Sequence, residues 1–230
     1  MAALVYGVAS SATVYAGFRC PAKGGPEWRE YRSKHFVMDT DASPSVVPEL
    51  IGRLERIHAL ELQALFGEQL EIPGHARVIA FADPHVFTDV AGSPAIGAYF
   101  TYSKLREPTI VLPEEWGDQG QTIAHEMAHY LSRFHYPWQP TWFSEGLAQF
   151  VQTIAVTKWG DTTPATGTHI VRYLSDGLGR VGVAPQGMQL WLAGAPRLRL
   201  GDLLRWDGEF DRHVSNRYVL SWLLYHWLMN

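Results

Sequence analysis

An α+β fold, with a small mixed sheet early in the chain and a mostly helical half after it, is what three observations predict. Short runs rich in β-branched and aromatic residues, bounded by turn-forming ones, fall at 33–40, 77–82, 97–102 and 109–113. From residue 120 onward, apolar residues recur at helical spacing instead. Strands therefore come first and helices afterwards, an order that suggests a small sheet covered by helices.

Residues 33–40 (SKHFVMDT) read as the first strand. Ser43-Pro44 then opens a helix to about Phe66, whose apolar face is Val47, Leu50, Leu54, Ile57, Leu60 and Leu65. Residues 77–82 (RVIAFA) form a second strand, and Asp83-Pro84 starts a short helix toward Val90. Residues 97–102 and 109–113 make a strand pair joined by a polar turn. Helices are expected over 120–134 and 141–157, separated by a loop with two prolines. The pattern stays mostly helical past Trp159 and ends in a helix over 211–228.

A chain of 230 residues makes one ordinary domain. With 47% apolar and 13% aromatic residues it can bury a sizeable core. Nineteen basic against 23 acidic residues leave no electrostatic footprint for nucleic acid, and no basic run marks a membrane surface. No apolar run approaches the roughly 20 residues of a transmembrane helix. The single cysteine, Cys20, excludes an intrachain disulfide, so the fold rests on packing and on any metal it binds.

Residues 1–26 read as a leader or linker and 27–230 as the folded domain. Residues 2–18 are uncharged and moderately apolar, and Cys20 sits where a lipidated cysteine would. The segment resembles a degraded export or lipoprotein leader, which implies an exported or envelope-associated protein. Arg19 before the cysteine and the lack of a basic residue near Met1 depart from that pattern. A disordered tail or a misassigned start fits equally well, and a cytoplasmic location stays open with it.

The chemistry concentrates in His125-Glu126-Met127-Ala128-His129. On a helix, residues four apart stack on one face, so both imidazoles can reach one ion. Glu126 can lean over the same site without being a ligand. Two neutral nitrogens and a carboxylate beside an activated water are what zinc-dependent hydrolysis requires. The plainer reading is a helix that carries two histidines by accident. Ile123, Ala124, Met127, Ala128 and Leu131 make this helix apolar, however, and burying such groups without a compensating partner is costly.

Two residues compete to be the third ligand. His135 lies six residues past His129, which resembles the metzincin spacing, but that family's pattern implies a glycine and a sharp chain break where this chain has Ser132, and serine tolerates a left-handed backbone poorly. Glu145 lies sixteen residues past His129, after a proline-rich reversal into an antiparallel helix. Gly146 and Ala148 let that helix approach the first closely. By itself Glu145 could be an acid favoured by a helix N-terminus. Together with the preceding helix it is the expected ligand.

His125-Glu-Met-Ala-His129, followed by Trp142-Phe-Ser-Glu145-Gly-Leu-Ala148, resembles the gluzincin zinc metallopeptidases, in particular small bacterial members with a W-x-x-E-G-x-A second motif. The resemblance implies a thermolysin-like core with a sheet edge strand above the zinc helix, and it places that edge at residues 109–112. It implies Zn2+ as cofactor, a peptide or protein substrate, and peptide-bond hydrolysis with Glu126 as general base. It also implies an oxyanion donor on a later helix, for which Tyr218 is the candidate, with His213 and His226 behind it. Where some members carry an acid to orient a ligand histidine, this chain has Gln149, whose amide can accept from an imidazole N–H. The chain stops at Asn230 directly after an apolar helix, where members continue, which reads as a truncated C-terminus. The alternative functions are a non-catalytic zinc-stabilised domain that binds peptide or cell envelope, and an inactive fragment of a larger peptidase.

Overall fold

The computed structural model describes residues 19–66, 71–103, 106–114, 120–156, 198–209 and 214–229. The expected leader over 2–18, most of the helical stretch past Trp159, and His213 lie outside them.

The fold is α+β, as the segregation of strands and helices predicts. Its strands are β1 (Arg29–Arg32), β2 (Phe36–Thr40), β3 (Ala76–Phe81), β4 (Tyr99–Ser103) and β5 (Arg106–Pro113). They form one sheet in the order β1-β2-β3-β5-β4. β2, β3 and β5 run parallel, while β1 and β4 pair antiparallel at the two edges, so the sheet is mixed. The helices among the described residues are α1 (Val47–Phe66), α2 (Pro84–Ala91), α3 (Gly120–His135), α4 (Thr141–Val156), α5 (Leu200–Leu204) and α6 (Val214–Met229). No helix of the described residues is long and apolar enough to cross a membrane.

Side-chain alternation builds the layers. Phe36 and Met38 of β2, Val78 and Ala80 of β3, and Ile110 and Leu112 of β5 share one face. There they meet Leu50, Leu54 and Ile57 of α1 and Ile123, Met127 and Leu131 of α3. Burial of each large apolar side chain stabilises by about 1.5–3 kcal/mol, so this layer fixes α3 beneath the sheet. Phe81 and Val111 point the other way and pack against Phe87 of α2, with Trp28 edge-on to Phe81 at 5.2 Å. A second core joins Ala128 of α3, Leu147, Ala148 and Val151 of α4, and Val219, Trp222 and Tyr225 of α6.

Three elements depart from expectation. The edge strand beside the site is β4, whereas residues 109–112 lie in β5, which is paired on both sides. The reason is chemical: Ile110, Val111 and Leu112 are buried on both faces of the sheet, while Thr101, Tyr102 and Ser103 are exposed. β1 was not foreseen, because its alternating charges carry no apolar signal; Arg29, Glu30 and Arg32 suit an exposed edge. α1 begins at Val47 rather than Ser43, after a turn closed by Val46 N donating to Ser43 O at 3.0 Å. Its buried face takes in His58 and Glu61, while Leu60 and Leu65 are only half-buried.

Candidate metal centre

α3 and α4 are antiparallel neighbours, and the facing ends of the two helices build the site. His125 and His129 sit one turn apart on α3, and Glu145 projects from the first turns of α4. Their ligand atoms all lie within 4.8 Å of one another, and the group could hold a metal ion. His125 Nε2 and His129 Nε2 are 3.1 Å apart. Glu145 Oε2 lies 3.2 Å from the first and 3.6 Å from the second.

The other nitrogen of each ring is held by α4. His129 Nδ1 lies 3.0 Å from Ser144 Oγ, and His125 Nδ1 lies 3.1 Å from Gln152 Oε1. Gln152 is tied in turn by its Nε2 donating to Gln149 Oε1 at 3.0 Å. A Gln152 carbonyl oxygen can only accept, so His125 carries its proton on Nδ1 and turns a bare Nε2 toward the centre. The expected partner, Gln149, therefore stands one step back and positions Gln152. Gln152 lies seven residues past Glu145, two turns along one face of α4, and that spacing is the signal that could have found it.

The two candidate third ligands separate cleanly. α3 continues unbroken through the fully buried Ser132, so His135 is carried to another face of the helix. There its ring packs 4.1 Å from Phe66 of α1, and burial lowers its pKa. Of the two, Glu145 is the one that joins the histidine pair. Gly146 has a different role from the expected one. A Cβ there would lie 2.4 Å from Ser221 O, so its missing side chain admits α6 rather than α3. Ala148, in the same cluster as Ala128 of α3, serves the α3–α4 contact.

Burial and neighbouring charge tune the two acids in opposite directions. For Glu145, burial pushes the pKa up, but the facing histidine pair, the charge of His129 foremost, outweighs it and holds it well below the carboxylate range. For Glu126, burial dominates and raises the pKa to about 7, with His125 and the Phe100 N–H opposing and Glu145 reinforcing. The Phe100 backbone N–H of edge strand β4 donates to Glu126 Oε2 at 2.7 Å. Glu126 is thus tied to the strand, lining the same cleft as the three converging atoms without being one of them.

Tyr218 of α6 reaches the same place, its ring 6.4 Å from that of His125 and edge-on to Trp206 at 5.4 Å. Burial, then the charges of Glu145 and Glu126, push its hydroxyl pKa far up, so it remains an O–H donor. His226 lies farther along α6, stacked on Trp222 at 5.1 Å. The cleft that these groups face has a volume of about 440 Å³. Tyr99, Phe100 and Tyr102 of β4, Arg133 of α3, and Trp206 and Asp207 beyond α5 complete its walls. Sequence reasoning singled out none of Ser144, Gln152, Arg133 or Trp206. No protein-family model matches the chain, and no curated protein matches it.

Proposed function

We propose that this chain is a zinc-dependent peptidase that hydrolyses a peptide bond laid along β4. The observation that carries the reading is the convergence of His125, His129 and Glu145 beside a carboxylate, Glu126, that is not one of the three. Tetrahedral ligands roughly 2.0–2.1 Å from zinc stand about 3.3 Å apart, and the spacings of 3.1, 3.2 and 3.6 Å bracket that value. Two nitrogens and a carboxylate oxygen, with both imidazoles oriented from behind, suit zinc, and His125, His129 and Glu145 would hold it.

Zinc bound there supplies an acidified water and polarises a carbonyl oxygen. The chain's own groups do the rest. Glu126 accepts the proton of the attacking water and returns it to the leaving amine. The Phe100 N–H holds that carboxylate at the edge strand. Tyr218 offers an O–H to the developing oxyanion. β4, unpaired on its outer side among the described residues, presents backbone groups that an extended peptide can extend as a further strand.

A purely structural zinc site has no use for Glu126, and this distinguishes the proposal from a non-catalytic binding domain. The test is a Glu126→Gln variant assayed against a mixed peptide pool. The wild type should cleave, while the variant should retain metal and lose turnover. Undiminished cleavage by Glu126→Gln would sink the assignment.

A further inference from the structure

Arg133 is a cation in the cleft with no carboxylate partner among the described residues. It lies four residues past His129 on the same face of α3, and its guanidinium sits 5.4 Å from the centre of the Tyr102 ring. An aromatic face steadies a cation but satisfies none of the five N–H donors of the guanidinium, whose planar fork matches a carboxylate. The acids of the cleft are engaged elsewhere. Glu145 faces the histidines, Glu126 accepts from Phe100, and Asp207 Oδ1 accepts from Glu209 N at 3.1 Å.

The geometry also says where along a substrate this cation lies. Phe100 contacts Glu126 and Tyr102 contacts Arg133, so β4 and α3 advance together. Arg133 lies roughly 9 Å along the helix from the midpoint of the two histidines, at 1.5 Å per residue. An extended peptide advances about 3.3 Å per residue, so the cation stands two or three residues from the scissile bond. A peptide paired antiparallel to β4 directs its N-terminal residues toward Tyr102.

We propose that Arg133, braced by Tyr102, forms an anion subsite that selects substrates with an acidic side chain two or three residues before the scissile bond. The proposal rests on the peptidase reading, and its test separates the two. Internally quenched peptides of one scaffold, C-terminally amidated, carry Glu, Gln or Lys at each of the three positions before the bond. The zinc-loaded wild type should cleave the Glu peptide about tenfold or more faster than the Lys peptide, in kcat/KM, at one of those positions. Arg133→Glu should invert that ratio and Arg133→Gln should level it; because each ratio is taken within one variant, partial loss of folded enzyme cancels.

Cleavage with equal rates for Glu and Lys at all three positions overturns the subsite and leaves the peptidase reading standing. In a second arm the same scaffold carries Gln at all three positions and a free C-terminal carboxylate; a gain confined to that arm places the anion on the other side of the bond and also overturns it. Cleavage of no peptide by zinc-loaded enzyme overturns the peptidase reading and the subsite with it.

Discussion

His125 Nδ1 donates to Gln152 Oε1 across 3.1 Å, and this bond joins the histidine face of α3 to the middle of α4. It fixes both the tautomer and the tilt of the ring, so the bare Nε2 points at the centre. Partners of this kind typically contribute about 10–100-fold in metal affinity. Gln152→Ala should therefore weaken zinc binding by about that factor in a chelator competition. Gln149→Ala, which only loosens Gln152, should cost less. Equal affinities in all three proteins would show that the bond does not orient the ligand.

Tyr218 should matter to turnover more than to binding. Removing one oxyanion donor typically lowers kcat by about 10²–10³. Tyr218→Phe should show that loss with zinc content and KM little changed. A change confined to KM would reassign the hydroxyl to substrate binding.

At Gly146, α4 and α6 approach closely. A Cβ there would meet Ser221 O at 2.4 Å and Tyr225 Cβ at 2.9 Å, and backbone cannot yield as a flexible side chain does. Overpacking of this kind typically costs about 1–3 kcal/mol. Gly146→Ala should lower the thermal midpoint accordingly, and it should also shift Tyr218, which α6 carries. An unchanged midpoint would mean that the helices separate at little cost.

α1 buries two titratable groups whose effects on stability oppose each other. Glu61 is fully buried, and neither of its oxygens has a hydrogen-bond partner among the described residues; burial raises its pKa well above 4.5. The unfolded chain releases that proton above about pH 4.5 while the folded chain keeps it, so stability falls as pH rises through the raised folded value. Glu61→Leu should remove this slope and stabilise the fold by about 1–3 kcal/mol at neutral pH in urea unfolding. Destabilisation by Glu61→Leu would mean that the carboxyl has a role that its surroundings do not reveal.

His58, also buried and stacked 4.1 Å from His35, has its pKa lowered from 6.5 to about 4, by burial and then by the charge of His35. Its contribution to stability is complete above pH 6.5 and is lost as pH falls toward 4. His58→Phe should flatten that acid limb, worth roughly 3 kcal/mol by linkage. In Glu61→Leu the same limb should steepen, because the opposing slope is gone. An acid limb that His58→Phe leaves unchanged would place the titration elsewhere.

Much of this architecture was legible because apolar spacing is a local signal. The periods of 33–40, 77–82 and 120–134 were enough to place β2, β3 and α3, and the i, i+4 spacing placed His125 and His129 on one face. Glu145 was legible because the proline-rich reversal leaves α4 no other course. What escaped depends on nonlocal choices. The edge position of β4 follows from which strand inserts beside β3, and no spacing within 97–113 encodes that. β1 is charged and short, so only its pairing with β2 makes it a strand. Gln152 and Ser144 have meaning only once α4 lies against α3. The burial of Glu61 runs against the polarity of its side chain, and the apolar face that sequence assigned to α1 took Leu60 and Leu65 instead.

The central claim is that His125, His129 and Glu145 together hold zinc, and metal content of the purified protein tests it most directly. Mass spectrometry of the wild type, Glu145→Ala and His135→Ala should give one zinc per chain in the first. Zinc should be lost with Glu145→Ala and kept with His135→Ala. A wild type without zinc, or loss only with His135→Ala, would contradict the account.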